Sequence, residues 1–164
     1  MPNRVTIVGF GGDGEALALR SLLESLQHEV RLLHVTDTSV AAKVMIAASE
    51  DDVVIVSAIG DARGFYVGPS AQGSDWVSMP AIFKNVQFRN EAVLISTAAA
   101  ARESGLVDAM FHAGGHLIAP NSSPDRSVVV AWVGACLLRA HAGLAEAVTS
   151  ANTLVEPENR FSYG

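Results

Sequence analysis

Three short runs, Val53-Val54-Ile55-Val56, Val93-Leu94-Ile95 and Leu117-Ile118-Ala119, are apolar at every position instead of every second one. A strand of this kind offers no face to water, so the sheet it joins must be covered on both sides. That is the situation of a parallel sheet between two layers of helices. Residues 4–8 and 29–36 read as two further strands. Parallel neighbours need long crossovers, and helical spacing supplies them. Leu19, Leu22, Leu23 and Leu26 mark one buried face of a helix over 15–27, and Asp37 or Thr38 is placed to cap a helix running to Ser49.

Residues 60–80 interrupt this rhythm with Gly60, Gly64, Gly68, Pro69, Gly73 and Pro80, while Phe65-Tyr66-Val67 is long enough for a short strand. The segment reads as a hairpin or excursion at the carboxyl edge of the sheet, followed by a brief helix over 81–86. The fourth and fifth strands are expected over 92–97 and 116–120, with a helix over 102–112 between them, ended by Gly114 or Gly115. Ser123 as N-cap, Pro124 at the first helical position and Asp125 beside the positive helix end predict the next helix. That helix, running to about Ala140, is apolar nearly all round, so burial is expected, with Trp132 in the core or at a subunit interface. A last helix over 144–152 closes a single domain of residues 1–155, and the tail 156–164 reads as loosely held. The expected fold class is a three-layer α/β/α sandwich with a mainly parallel sheet.

Composition narrows the function. The chain carries 11 basic against 17 acidic residues, a formal charge of −6, and it has no basic run. Nucleic acid is therefore not an expected partner, because phosphate tracking rests on clustered Lys and Arg. Cys136 is the one cysteine. No intrachain disulfide is possible, and with no hydrophobic signal segment at the start the reading is cytoplasmic. The apolar run 128–138 is too short for a bilayer, which needs about 20 residues, so no membrane association is expected.

Two strand ends carry the most specific signal. Ser57-Ala58-Ile59-Gly60-Asp61 follows the third strand, and Ser96-Thr97-Ala98-Ala99-Ala100 follows the fourth. With Phe65-Tyr66-Val67-Gly68 after the first, Ala113-Gly114-Gly115-His116-Leu117-Ile118-Ala119-Pro120 after the second, and Leu144-Ala145-Glu146-Ala147-Val148 near the end, their order resembles that of caspase-like proteases and the related bacterial CHAT domains. In that family the two strand ends read "SAHGD" and "SACE", bearing a general-base His and a nucleophilic Cys. The resemblance places Ile59 and Ala98 at those positions, and neither side chain can act as nucleophile or base. It thus implies a caspase-like fold without the dyad: a pseudoenzyme with no catalytic residue and no cofactor, acting as a regulatory or assembly module, as a homo-oligomer or with a protein partner. Ile59 and Ala98 are then expected on adjacent strands, their Cβ atoms under about 10 Å apart, the reach a His–Cys pair would need. Asp61, Arg63, Ser96, Thr97, Arg102 and Asn121 are candidates to line a crevice beside them.

Other readings compete. Gly9-Phe10-Gly11-Gly12-Asp13-Gly14 fits G-x-G-x-x-G between a strand and a helix, and Asp37 ends the next strand. Gly9, Gly11 and Gly14 would bring a pyrophosphate onto the helix start and Asp37 would hold a ribose, which describes a Rossmann-like protein binding a nucleotide or dinucleotide. Asp13 and Glu15 oppose it with negative charge. The same segment resembles cobalamin-binding flavodoxin-like domains, but no His lies between Met1 and Gln27 to serve as the cobalt ligand. A hydrolase using Ser57, Ser96 or Thr97 would need a base that the sequence does not place. His112 and His116 are split by Gly114-Gly115 and cannot share a helix face, so no metal site is expected; His28, His34 and His141 fall at element ends.

Overall fold

The computed structural model describes residues 4–11, 14–69, 75–83, 85–98, 101, 115–122, 124–140 and 143–163. The chain opens with β1 (Arg4–Phe10), α1 (Gly14–Ser25) and β2 (Glu29–Val35). A 3-10 turn, Thr38–Val40, then leads into α2 (Ala41–Ala48) and β3 (Val53–Ser57). The excursion consists of β4 (Gly60–Asp61), β5 (Gly64–Tyr66) and β6 (Trp76–Val77), and α3 (Met79–Phe83) and β7 (Val93–Ser96) follow it. Last come β8 (His116–Pro120), α4 (Arg126–Arg139), α5 (Leu144–Asn152), a 3-10 turn at Pro157–Asn159 and β9 (Phe161–Tyr163). The expected helix over 102–112 lies outside the described residues.

Among the described residues the main sheet has the order β2-β1-β3-β7-β8-β9. Its first five strands are parallel and β9 is antiparallel. The apolar runs behave as their composition demands. Val53 and Ile55 face one layer, where they meet Leu19 and Leu23 of α1 and Val129 and Trp132 of α4. Val54 and Val56 face the other, against Met45 of α2 and Ile82 of α3. The fold is therefore the three-layer α/β/α sandwich expected, with a mainly parallel sheet. Since β3 pairs with β1 and not beyond β2, the order runs 2-1-3 and then outward, the flavodoxin-like arrangement and not the 3-2-1 order of dinucleotide-binding sheets.

Several local expectations are corrected. Asp37 does cap, accepting from Ser39 N at 2.7 Å, but it caps the 3-10 turn and α2 begins only at Ala41. The brief helix expected over 81–86 spans Met79–Phe83. Helix α4 starts at Arg126 with Asp125 as N-cap, so Pro124 precedes the helix, and Ser123 lies outside the described residues. The burial expected of α4 does hold on most of its circumference, with Trp132 fully buried, and the outward side carries Ala131, Leu138 and Arg139, Leu138 being 57% exposed. The tail is not loose. Phe161 stacks on Trp132 with ring centroids 3.9 Å apart, and β9 pairs with β8.

The excursion forms its own antiparallel sheet, β4-β5-β6, with Phe65, Val67 and Val77 buried in the α2/α3 layer. Phe65 meets Phe10 of β1 edge to face at 5.0 Å, which ties this small sheet to the main one. Gly64 is obligatory there, because its φ is +116° and a Cβ would collide with the Val77 carbonyl.

Candidate functional site

In an open α/β sheet, ligands sit outside the carboxyl ends of the strands where the order reverses. Here that point lies between β1 and β3, since β2 is laid on one side of β1 and β3 on the other. Beside it a cleft of about 130 Å³ opens at the ends of β3 and β7. Ala58, Ile59 and Gly60 come to it from β3, Thr97 and Ala98 from β7, Glu15 from the start of α1, and Pro124, Arg126 and Val129 from the start of α4.

The two strand ends are adjacent because β3 and β7 pair in parallel, with Val56 opposite Ser96. Thr97 extends the pairing past the last ladder position. Its N donates to Val56 O at 2.9 Å, and its Oγ1 accepts from Ala58 N at 3.0 Å. Ile59 and Ala98 therefore border one cleft. Ala98 is buried, whereas Ile59 is 50% exposed, a large apolar side chain held at the mouth.

Glu15 is the unexpected member. It is 7% exposed, and its Oε1 accepts from the fully buried Ser57 hydroxyl at 2.6 Å. Among the described residues its second oxygen takes no hydrogen bond, and the residue lines the cleft. The start of α1 favours this negative charge, since unpaired helix amides carry partial positive charge there. Arg126, the first residue of α4, lines the same cleft. Both residues arrive at helix starts that follow strands β1 and β8. The helix start after residues 9–14 was legible in the sequence, but the convergence of these two starts was not.

The other expected crevice residues do not gather here. Ser96 is fully buried and bonded to its own turn, donating to Ala98 O at 2.9 Å. Asp61 is exposed on β4, and its carboxyl is held below the usual range by the hydrogen bonds of the Arg63 side chain and backbone. Arg63 also stacks over Trp76 at 3.8 Å, which fixes it to the excursion. Asn121 sits past β8 and accepts from Ser162 Oγ at 2.6 Å, tying down β9. Arg102 lies outside the described residues. Among the described residues, Thr97 alone of these candidates lines the cleft.

Gly9 and Gly11 lie at the end of β1, and Asp37 follows the neighbouring end of β2. Local structure accounts for two of the three glycines. A Cβ at Gly9 would crowd Ala16 at 3.2 Å, and Gly11 has a φ of +77°. Gly14 has open space around it. Asp37 is exposed, and its carboxyl is acidified first by the Ser39 backbone hydrogen bond. Among the described residues no group of three His, Cys, Asp or Glu is placed to hold a metal.

Cys136 lies in the core between α4 and the sheet, and burial pushes its thiol up to about 12. At neutral pH it carries essentially no thiolate, the form that attacks. Among the described residues no helix is long and apolar enough to cross a membrane. Compared with models of known protein families and with curated proteins, the chain matches none.

Proposed function

We propose that this chain is a non-catalytic caspase-like, CHAT-related domain, a regulatory or assembly module that holds a peptide segment of a partner in the cleft and does not cut it. The observation that carries this reading is that Ile59 and Ala98 both line one cleft beyond the ends of adjacent strands β3 and β7. The antiparallel excursion directly after β3 supports it as well, standing where the resemblance asks for a hairpin. An alanine and an isoleucine supply shape and apolar surface but no proton transfer and no nucleophile. The carboxylate of Glu15 adds a fixed acceptor, suited to a donor group on the bound segment. Assembly with further copies or with a partner belongs to the same reading, as does a cytoplasmic location.

The test is a peptide library incubated with the unmodified protein. Retention of a subset without cleavage is expected, with at least about tenfold weaker retention by Ala98→Trp, whose indole fills the cleft. Cleavage that is abolished by Ser96→Ala or Thr97→Ala would establish a hydrolase and end the proposal. Installing the dyad with Ile59→His and Ala98→Cys should create a thiol more reactive than Cys136.

The placement of Gly9 and Gly11 at the end of β1, next to the end of β2 that leads to Asp37, favours a second reading, a nucleotide or dinucleotide binder. A thermal-shift panel of NAD, NADP, FAD and FMN decides it, because a ligand bound only by the folded state raises the melting temperature.

A further inference from the structure

Strand β2 is outermost on its side of the sheet and runs along β1 for all of its seven residues. The Val35 carbonyl accepts from Gly11 N at 2.9 Å, so Val35 turns its polar groups inward. Backbone direction alternates along a strand, and Val30, Leu32 and His34 therefore turn their N–H and C=O groups outward. Among the described residues nothing bonds to those outward groups. Of the usual guards of a free edge the strand has no Pro and no Lys, and its charges are Glu29 at its first position and Arg31. Its one Arg is drawn inward: Arg31 Nε donates to Thr6 Oγ1 at 3.1 Å, and Nη2 donates to Ala47 O at 2.8 Å and to Asp51 Oδ2 at 3.0 Å. The opposite edge is closed differently, by the short antiparallel β9.

Apolar surface flanks this edge. Val30, Leu32 and Leu33 are only half-buried, and Leu17 of α1 is 53% exposed. Leu22 lies against Gly134 of α4, and Leu17 stands about 140° round the helix from it, on the flank turned away from α4.

We infer that this edge pairs with a second copy of the chain, β2 antiparallel to β2 about a two-fold axis through Leu32, making one continuous sheet. In that register Leu32 faces itself, Val30 faces His34 of the second copy, Arg31 faces Leu33 and Glu29 faces Val35. The outward groups of Val30, Leu32 and His34 then meet one another as donors and acceptors. No like charges stand opposite in this register, and each Arg31 is also held by its own Asp51. An interface between identical chains must be self-complementary in this way. The inference rests on the assembly half of the reading above and does not use the cleft.

Light scattering is expected to give a mass of two chains, each of 17.2 kDa. Leu32→Cys should form a disulfide-linked dimer on mild oxidation, since facing residues of such a pair have Cα atoms about 5.5 Å apart, within disulfide reach. Ser162→Cys, on the β9 edge, should not. Leu17→Glu changes an exposed helix position that folding does not need, and it should weaken the dimer at least about tenfold. A single-chain mass for the unmodified protein at about 100 μM would overturn the inference. So would a dimer that cross-links through Ser162→Cys and not through Leu32→Cys. A monomer that still retains peptides refutes the β2 interface alone, whereas a dimer that retains none refutes the cleft alone.

Discussion

Asp51 shows how much one side chain can organise. It is 4% exposed at the amino edge of the sheet, where it accepts from Thr6 of β1, pairs with Arg31 of β2 at 3.0 Å and with Arg4 at 3.1 Å. Asp51→Ala would leave Arg31 and the Thr6 hydroxyl facing a gap. The expected loss is about 3 kcal/mol in urea unfolding, with Asp51→Asn losing roughly half, since an amide still accepts. Cys136 gives a second test at this scale. Its thiol stays neutral in the native state up to about 12, while the unfolded thiol ionises near 9.0. Stability should therefore fall as pH rises from about 9 toward 12, by up to ~1.4 kcal/mol per pH unit from this group, and Cys136→Ala should remove that component. In the native protein at pH 8, Cys136 should resist a thiol reagent that modifies it readily in urea. At the candidate site, Ile59, Thr97 and Ala98 were legible because strand ends can be read from apolar runs that stop at small residues. Glu15 and Arg126 were not, because nothing local tells which helix starts converge.

The elements diverged most from expectation at the carboxyl terminus. Residues 157–163 have little apolar periodicity, yet they are held by a compact knot. Trp132 Nε1 donates to Asn152 Oδ1 at 2.9 Å, Phe161 N donates to the same oxygen at 3.0 Å, and Asn152 Nδ2 donates to Phe161 O at 2.8 Å. Asn152→Ala would strand all three buried partners, and a loss of about 3 kcal/mol is expected in chemical denaturation. A chain ending at residue 155 should lose more, because Phe161 covers the indole of Trp132. The excursion offers a contrasting check. Gly64→Ala should disorder β4-β5-β6 while leaving far-UV helix content nearly unchanged, since the collision with Val77 is confined to the small sheet. Retention of native Trp76 fluorescence in that variant would show that the turn tolerates a side chain.

For the whole molecule, the two apolar layers are not independent bodies, because β1, β3 and β7 contribute alternate side chains to each of them. Unfolding should accordingly be one cooperative transition, with near-UV and far-UV circular dichroism giving the same midpoint; separated midpoints would mean that the layers melt apart. The sequence by itself determined that a parallel sheet lies between two helical layers, because strands apolar at every position cannot leave either face in water. It also determined that Ile59 and Ala98 stand at strand ends without reactive groups, since that is a matter of side-chain identity. Strand order was decided only in the tertiary structure: placing β3 beside β1 depends on which crossover packs on which face, a contact between residues about 50 positions apart that leaves no local periodicity. The burial of Glu15 beside Ser57 and the position of β2 at the sheet edge follow from that order, and the capture of β9 depends on Trp132 and Asn152, 20 positions apart, meeting across two helices; a neighbour-by-neighbour reading reaches none of these.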